Sequence, residues 1–172
     1  NRLLKAGHPV HWVAEGAPLG AFFVEASPGA RAVLERAARE LGVGARGAAR
    51  PAGSLVRLRA PRIGLWDQYG GSMPSGWTRW LLEQFEFPFE VVYPPALDRD
   101  DLAARFDVLV LPDGAVPARD AAPGRAPRDP DPERIPPEYR DRLGRITVEK
   151  TVPRLRAFLE QGGTILAIGG ST

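Results

Sequence analysis

Cysteine is absent from the 172-residue chain, which excludes disulfide bonds, thiolate-bound zinc and a cysteine nucleophile within these residues. No apolar run approaches the roughly 20 residues that a membrane-spanning helix needs. The amino end has neither an initiator methionine nor a charged segment followed by an apolar one. We therefore expect Asn1 to lie inside a longer polypeptide.

Lysine and histidine are also scarce. Lys5 and Lys150 are the only lysines, and the net charge of +2 is too small to favour nucleic acid as a partner. The only histidines, His8 and His11, fall at or beside a predicted strand, where side chains three positions apart point to opposite faces. We therefore predict no metal or cofactor site in these residues.

The composition, with 44% hydrophobic and 26% charged residues, is typical of a globular protein. Residues 1–54 are predicted to form a small α/β leading segment with strands near 10–13 and 21–24. In the same segment, Ser27-Pro28 begins a helix that ends at Gly42. Residues 42–54, rich in Gly, Ala and Arg, are predicted to connect this segment to a larger domain over 55–172.

The larger domain alternates strand and helix patterns. Its predicted strands are 62–66, 89–93, 107–112 and 164–168, and its predicted helices are about 75–87, 98–105 and 152–161. This order predicts an α/β fold, a three-layer, doubly wound parallel sheet of the flavodoxin-like kind. Because the chain stops at Thr172, before a further helix, we expect the domain to be truncated at its carboxyl end.

Two further features of this domain stand out. The helix over 75–87 is predicted to anchor the core through one heavy apolar side, made of Trp77, Trp80, Leu81, Gln84 and Phe85. Eight of the 18 prolines fall between Pro112 and Pro137. Proline at that density excludes a helix or a central strand, so this stretch is predicted to be a loop or lid, part of it disordered.

A ligand crevice is predicted where the loops after the first and third strands of this domain meet. If the strand order is 2-1-3-4, these loops flank the topological switch point and bring together four polar side chains, Asp67, Tyr69, Ser72 and Asp113. For the loop after the first strand the favoured interpretation is structural: Ser75 caps the helix, the glycines form the turn and Trp77 packs into the core. Asp113 fits equally well as the cap of a turn. No specific chemistry follows from either.

Gly169-Gly170-Ser171, after the last strand, resembles the start of a G-x-S-x-G nucleophile elbow. A catalytic serine needs a base and an oxyanion hole, and no histidine follows His11. Ser171 is therefore predicted to be structural. The rival hypothesis is a serine hydrolase or amidotransferase-like enzyme completed by residues beyond Thr172.

The chain resembles the C-terminal region of large bacterial zinc-carboxypeptidase-like proteins. The segments that carry this resemblance are 1–7, 62–66, 76–85, 106–109 and 158–163, of which Trp-Thr-Arg-Trp-Leu-Leu-Glu-Gln-Phe is the most specific. In that family the region follows the peptidase domain and is similar to class I glutamine amidotransferases without their catalytic triad. Gly170-Ser171 stands here where an amidotransferase has its cysteine.

The resemblance implies that the parent protein is an exported zinc metallocarboxypeptidase, with its zinc in the peptidase domain. The present residues then form an accessory domain that binds or supports that peptidase domain. A small-ligand-binding α/β module is the alternative from another class.

Overall fold

The computed structural model describes residues 1–16, 18–116 and 130–172. The chain divides into two compact units, Asn1–Ala60 and Pro61–Thr172. The first unit contains a three-stranded antiparallel sheet, and the second contains a four-stranded parallel sheet with helices packed against it. The predicted α/β class and the parallel sheet are confirmed.

The first unit builds its sheet in the order β2-β1-β3. Its elements are α1 (Arg2–Lys5), β1 (Val10–Val13), β2 (Phe22–Val24), α2 (Pro28–Leu41) and β3 (Leu55–Arg57). The predicted signals of α2 are confirmed, because Ser27 Oγ accepts a hydrogen bond from Ala30 N at 3.1 Å and Gly42 closes the helix with φ of 68°.

Strand β3 belongs to the first unit, which extends past the predicted boundary at residue 54 to Ala60. β3 pairs antiparallel with β1, and Leu55 lies opposite Val13. The sequence did not reveal this strand because three residues carry too little alternation to be recognised, and their partner strand lies far away along the chain.

The second unit builds its sheet in the order β5-β4-β6-β7. Its elements are β4 (Ile63–Trp66), α3 (Met73–Gln84), β5 (Phe89–Val92), α4 (Pro94–Leu97), α5 (Leu102–Arg105), β6 (Val108–Leu111), α6 (Thr151–Glu160) and β7 (Thr164–Ala167). The four predicted strands are confirmed to within one residue at each end.

Helices pack on both faces of this parallel sheet. On one face, Leu82 of α3 packs against Ile63, Leu65 and Val110. On the other face, a larger core includes Leu97, Leu102, Phe106, Leu109, Leu155 and Phe158, contributed by strand β6 and by α4, α5, α6 and their connections. The α3 face is therefore the more thinly covered of the two.

Two predicted helices differ from those observed. Helix α3 begins earlier than predicted, because Ser72 caps it and Pro74 fits its first turn. The predicted helix over 98–105 is shorter than predicted and consists of α5 alone, because residues 98–101 form a turn. The short helix α4, which begins at Pro94-Pro95, lies before the predicted range.

The predicted apolar anchor of α3 is wrong. Its large side chains lie at the surface, with exposed fractions of 63% for Trp77, 49% for Trp80, 48% for Leu81 and 67% for Phe85. The side of α3 that turns inward instead carries Ser75, which is 1% exposed, and Leu82.

An arginine clamp joins the starts of the two central strands at the amino edge of the sheet. Arg62 donates from Nη2 to Asp107 Oδ1 at 2.8 Å and from Nε to Oδ2 at 3.2 Å, and it also donates to the carbonyl oxygens of Ala103 and Ala104. The hydrogen bond to Asp107 raises the pKa of Arg62 above its ordinary value. The clamp is bidentate, the strongest form of such a pair.

The predicted loop or lid between β6 and α6 falls partly on residues 117–129, which lie outside the described residues. The described remainder is irregular, with 3-10 turns at Pro132–Arg134 and Pro137–Arg142. Over the described residues, no helix combines the length and apolar character that crossing a membrane requires.

Candidate functional site

The topological switch point lies between β4 and β6, as predicted from a 2-1-3-4 order of the parallel strands. The chain moves from β4 to β5 on one side and then returns to β6 on the other side. The loops that follow β4 and β6 therefore flank the position where open α/β sheets usually bind ligands.

The loop after β4 is closed by the carboxylate of Asp67. Asp67 Oδ1 accepts hydrogen bonds from Gln68 N and Ser72 N, both at 2.8 Å. This oxygen bridges the beginning and the end of the loop, as Asp does in Asx turns. The observed role of this oxygen is to hold the loop in shape.

The two serines at the start of α3 form a short chain of hydrogen bonds. Ser72 Oγ accepts from Ser75 N at 3.2 Å and donates to Ser75 Oγ at 2.8 Å, and Ser75 Oγ donates to the carbonyl of Trp66 at 2.8 Å. The cap is therefore Ser72 and not Ser75 as predicted. Ser75 instead ties the buried start of the helix to the end of β4.

The carboxylate of Asp113 links the end of β6 to the turn after β7. Asp113 Oδ1 accepts from Gly170 N at 2.7 Å. A Cβ atom at Gly169 would lie 3.0 Å from the Asp113 side chain, and Gly169 has φ of 64°. Only glycine fits this close approach without strain.

Ser171 is part of the same linkage. Its Oγ donates to the carbonyl of Pro112 at 2.7 Å and accepts from Val116 N at 3.2 Å, and the residue is 8% exposed. The chain's histidines lie in the first unit, where His8 lies close to Gly29 and His11 faces Phe23 with ring centroids 6.3 Å apart. Ser171 therefore serves as a hydrogen-bonding link at the sheet edge.

The predicted site residues thus fall into separate groups. Asp67 and Ser72 are joined by a hydrogen bond, and Asp113 bonds to Gly170 of the β7 turn. No hydrogen bond links these two groups in the part of the chain that the structure describes. Among the described residues Tyr69 forms no hydrogen bond to either group, and its ring instead faces Tyr139 at 6.5 Å between centroids.

That contact reveals an aromatic cluster that the sequence did not predict. The guanidinium of Arg142 lies 4.8 Å from the ring centroid of Tyr139 and 5.1 Å from that of Tyr93, and Arg142 Nη1 donates to Tyr93 Oη at 3.4 Å. The cluster joins Tyr69 after β4 and Tyr93 after β5 to the segment 137–142. Arg142 itself occupies the place between two tyrosine rings that an external cation would take in an aromatic cage.

The crevice lies apart from the hollow that the structure shows in the second unit. Within the described ranges, no group of three or more His, Cys, Asp and Glu side chains is placed to hold a metal ion. A hollow lined by Arg99, Asp100, Arg154 and Gln161 lies between α5 and α6, and none of the predicted site residues lines it.

Comparison of the chain with protein-family models, with curated proteins and with solved structures gives no match. The features that bear on function are therefore the carboxylate and hydroxyl oxygens that close loops at the sheet edge, and the large apolar side chains at the surface.

Proposed function

We propose that this chain is a non-catalytic binding or scaffolding module, the accessory domain of a zinc metallocarboxypeptidase-like protein, and that its first unit docks on the peptidase domain. The observation that carries the proposal is a row of exposed apolar side chains across the three-stranded sheet. The assignment of the parent rests on the resemblance of the sequence segments described above.

The row consists of Phe22, Trp12 and Val56, in the order β2, β1, β3. Trp12 pairs with Phe22 on one side and with Val56 on the other, so all three side chains lie side by side on one sheet face. Their exposed fractions are 70%, 45% and 45%, and Leu19 of the adjoining hairpin is 71% exposed. A solvated sheet face normally carries polar residues, so this row is typical of a protein-binding surface.

The bonding at the sheet edge supports a role without catalysis. Asp67 Oδ1 joins the two ends of its own loop, and Asp113 and Ser171 link the end of β6 to the turn after β7. The parallel strand order also supports the finer fold assignment, a three-layer, doubly wound, flavodoxin-like domain related to class I glutamine amidotransferases.

The first test reads the sequence that precedes Asn1 in the complete gene and assays the 172-residue chain for enzymatic activity. An H-x-x-E motif with a later histidine is expected on the amino-terminal side of Asn1. The 172-residue chain is expected to show no glutaminase, esterase or carboxypeptidase turnover and to contain no zinc by metal analysis. Turnover that Ser171→Ala abolishes would contradict the proposal and support the serine hydrolase alternative.

The second test concerns docking. Titration of the purified peptidase domain with the 172-residue chain, followed by calorimetry, is expected to show binding. Trp12→Ser and Phe22→Ser should each weaken it at least tenfold, which corresponds to about 1.4 kcal/mol, because aromatic anchors dominate such interfaces. The matched control is Leu41→Ser, 59% exposed on α2 in the same unit. Equal affinity of all variants would refute the docking surface.

A further inference from the structure

Helix α3 exposes an apolar side that its own sheet does not use. Met73 is 78% exposed, Trp77 63% and Trp80 49%, and the two indoles pack edge to face with centroids 6.0 Å apart. The charged residues of this helix, Arg79 and Glu83, bond to each other at 2.8 Å. Large aromatic side chains at this exposure are uncommon on a monomer's surface.

The sheet beneath α3 is covered on one half only. Strand register places Leu65, Val110 and Leu166 in one row across β4, β6 and β7 on the α3 face. Leu65 is 1% exposed and Val110 4%, whereas Leu166 is 52% exposed, and Ile168 beyond it is 41% exposed. The uncovered half is therefore apolar and lies over β7, the edge strand.

The apolar flank of α3 faces this uncovered half. Ser75 and Leu82 face the sheet, and helix geometry then places the charged flank of α3, with Arg79 and Glu83, on the β5 side. At 100° per residue, Leu81 and Trp77 lie on the opposite flank, toward β6 and β7, whereas Trp80 and Met73 point away from the sheet. The right-handed β4–α3–β5 connection requires the same orientation.

The dimensions of the uncovered half match one helix. Packed helices lie about 8–10 Å apart, which corresponds to two strand spacings, so a helix laid beside α3 lies over β7. The exposed apolar residues of α3 and β7 together present on the order of 600 Å². A standard interface buries about 800 Å² on each partner, so this area is close to what a stable dimer requires.

We propose that two copies of this chain pair through this face, with α3 of each copy lying over β7 of the other. A two-fold axis parallel to the strands places the helices side by side between the two sheets. Trp80 and Met73 of one copy then pack on Leu166 and Ile168 of the second, and Trp77 packs on the neighbouring helix. The same patch forms the interface on both copies, as two-fold symmetry requires.

A second copy fits better than one added helix. A single helix laid beside α3 would cover the flank that carries Trp77 and Leu81. It would leave Trp80 and Met73 exposed, because these side chains point away from the sheet. A second copy supplies both a helix for the flank and an apolar sheet for the outward side. This inference uses the second unit only and is independent of the proposed docking of the first.

Sedimentation equilibrium of the 172-residue chain tests the pairing. We expect a dimer at concentrations of about 1–100 μM, the range of an ordinary transient interface. Trp80→Lys and Leu166→Lys should each raise the dissociation constant at least tenfold, because each buries a charge in an apolar contact. The matched control Val148→Lys changes a residue that is 73% exposed in the same unit and should leave the dimer intact.

Directed cross-linking identifies the face, since the chain has no cysteine of its own. A mixture of Trp80→Cys and Leu166→Cys chains should form a mixed disulfide dimer under mild oxidation, and Val148→Cys chains should not pair with either. Far-UV circular dichroism confirms that each variant is folded. A folded chain that stays monomeric at about 100 μM, or a dimer that both lysine variants preserve, would overturn the proposal and leave the face to a different protein.

Discussion

The hydroxyl of Ser171 uses both of its hydrogen-bonding directions inside the protein, toward the carbonyl of Pro112 and from the N–H of Val116. Ser171→Ala leaves both backbone groups without this partner, so we expect the free energy of unfolding to fall by about 1–3 kcal/mol. Urea denaturation measures this change. Thr172→Ala is the control, because the Thr172 hydroxyl bonds at an exposed position. Equal stability of both variants would contradict the structural role of Ser171.

A second prediction at the residue scale concerns Asp101. The hydrogen bond from Arg99, and the positive charge of that residue, hold the pKa of the Asp101 carboxyl below its ordinary value. Because the folded-state pKa is lowered, this pair stabilises the fold above the ordinary carboxyl pKa, and the contribution is lost as the pH falls through the lowered pKa. The pair is exposed, so the effect on stability is small.

Replacement of Arg99 by Gln should therefore raise the pKa of Asp101 toward its ordinary value. A carboxyl-carbon NMR titration of the wild-type chain and the Arg99→Gln variant measures this. Arg79→Gln, which removes the partner of Glu83 and not of Asp101, should leave the titration of Asp101 unchanged. An identical Asp101 titration in wild type and Arg99→Gln would show that the pair does not form in solution.

At the scale of elements, strand β4 depends on a glycine at its centre. A Cβ atom at Gly64 would lie 2.8 Å from Leu109 Cδ2 and 3.0 Å from Val92 Cγ2, both buried. Gly64→Ala should therefore destabilise the chain by roughly 1–3 kcal/mol through overpacking. Gly47→Ala, with open space around its Cβ, should change stability by less than about 0.5 kcal/mol. Chemical denaturation compares the two, and a stable Gly64→Ala would show that the side chains of Leu109 and Val92 shift aside easily.

The elements of the parallel sheet were predictable because continuous apolar strands and glycine-closed helices are local signals. The sequence did not make it possible to predict which side of α3 is exposed. Helical periodicity shows that Trp77 and Leu81 share one side of the helix, but it does not show which side meets the sheet. In the structure the small polar Ser75 and the single Leu82 meet it. Which side of α3 meets the sheet depends on how closely the helix approaches the sheet. No local sequence pattern encodes that distance.

The candidate site was predictable only where it depends on strand order. The positions of Asp67 and Asp113 after β4 and β6 followed from the alternation of strands and helices. Their bonds to Ser72 N and Gly170 N depend on loop conformations that the sequence does not determine locally. The Arg142 cluster joins residues that are far apart along the chain, so no spacing pattern in the sequence predicts it.

At the scale of the whole molecule, each unit has its own core. Val13 in the first unit and Leu109 in the second are both 1% exposed. Leu109→Ala should cost about 2–5 kcal/mol and Val13→Ala roughly 1.5–3 kcal/mol. We expect each change to lower the unfolding transition of its own unit only. Hydrogen exchange resolved by segment measures both units, and a loss of protection across both from either change would mean that they unfold together.

The exposure of the tryptophan side chains has a consequence for the intrinsic fluorescence of the protein. Three of the four indoles, Trp12, Trp77 and Trp80, are between 45% and 63% exposed, and only Trp66 is enclosed, at 4%. The emission of the unassociated chain should therefore already be red-shifted and readily quenched by acrylamide, with little further change on unfolding. A blue shift will appear only when another surface covers an indole. Intrinsic fluorescence of this chain is consequently an assay for association, with Trp12 reporting on one unit and the Trp77–Trp80 pair on the other.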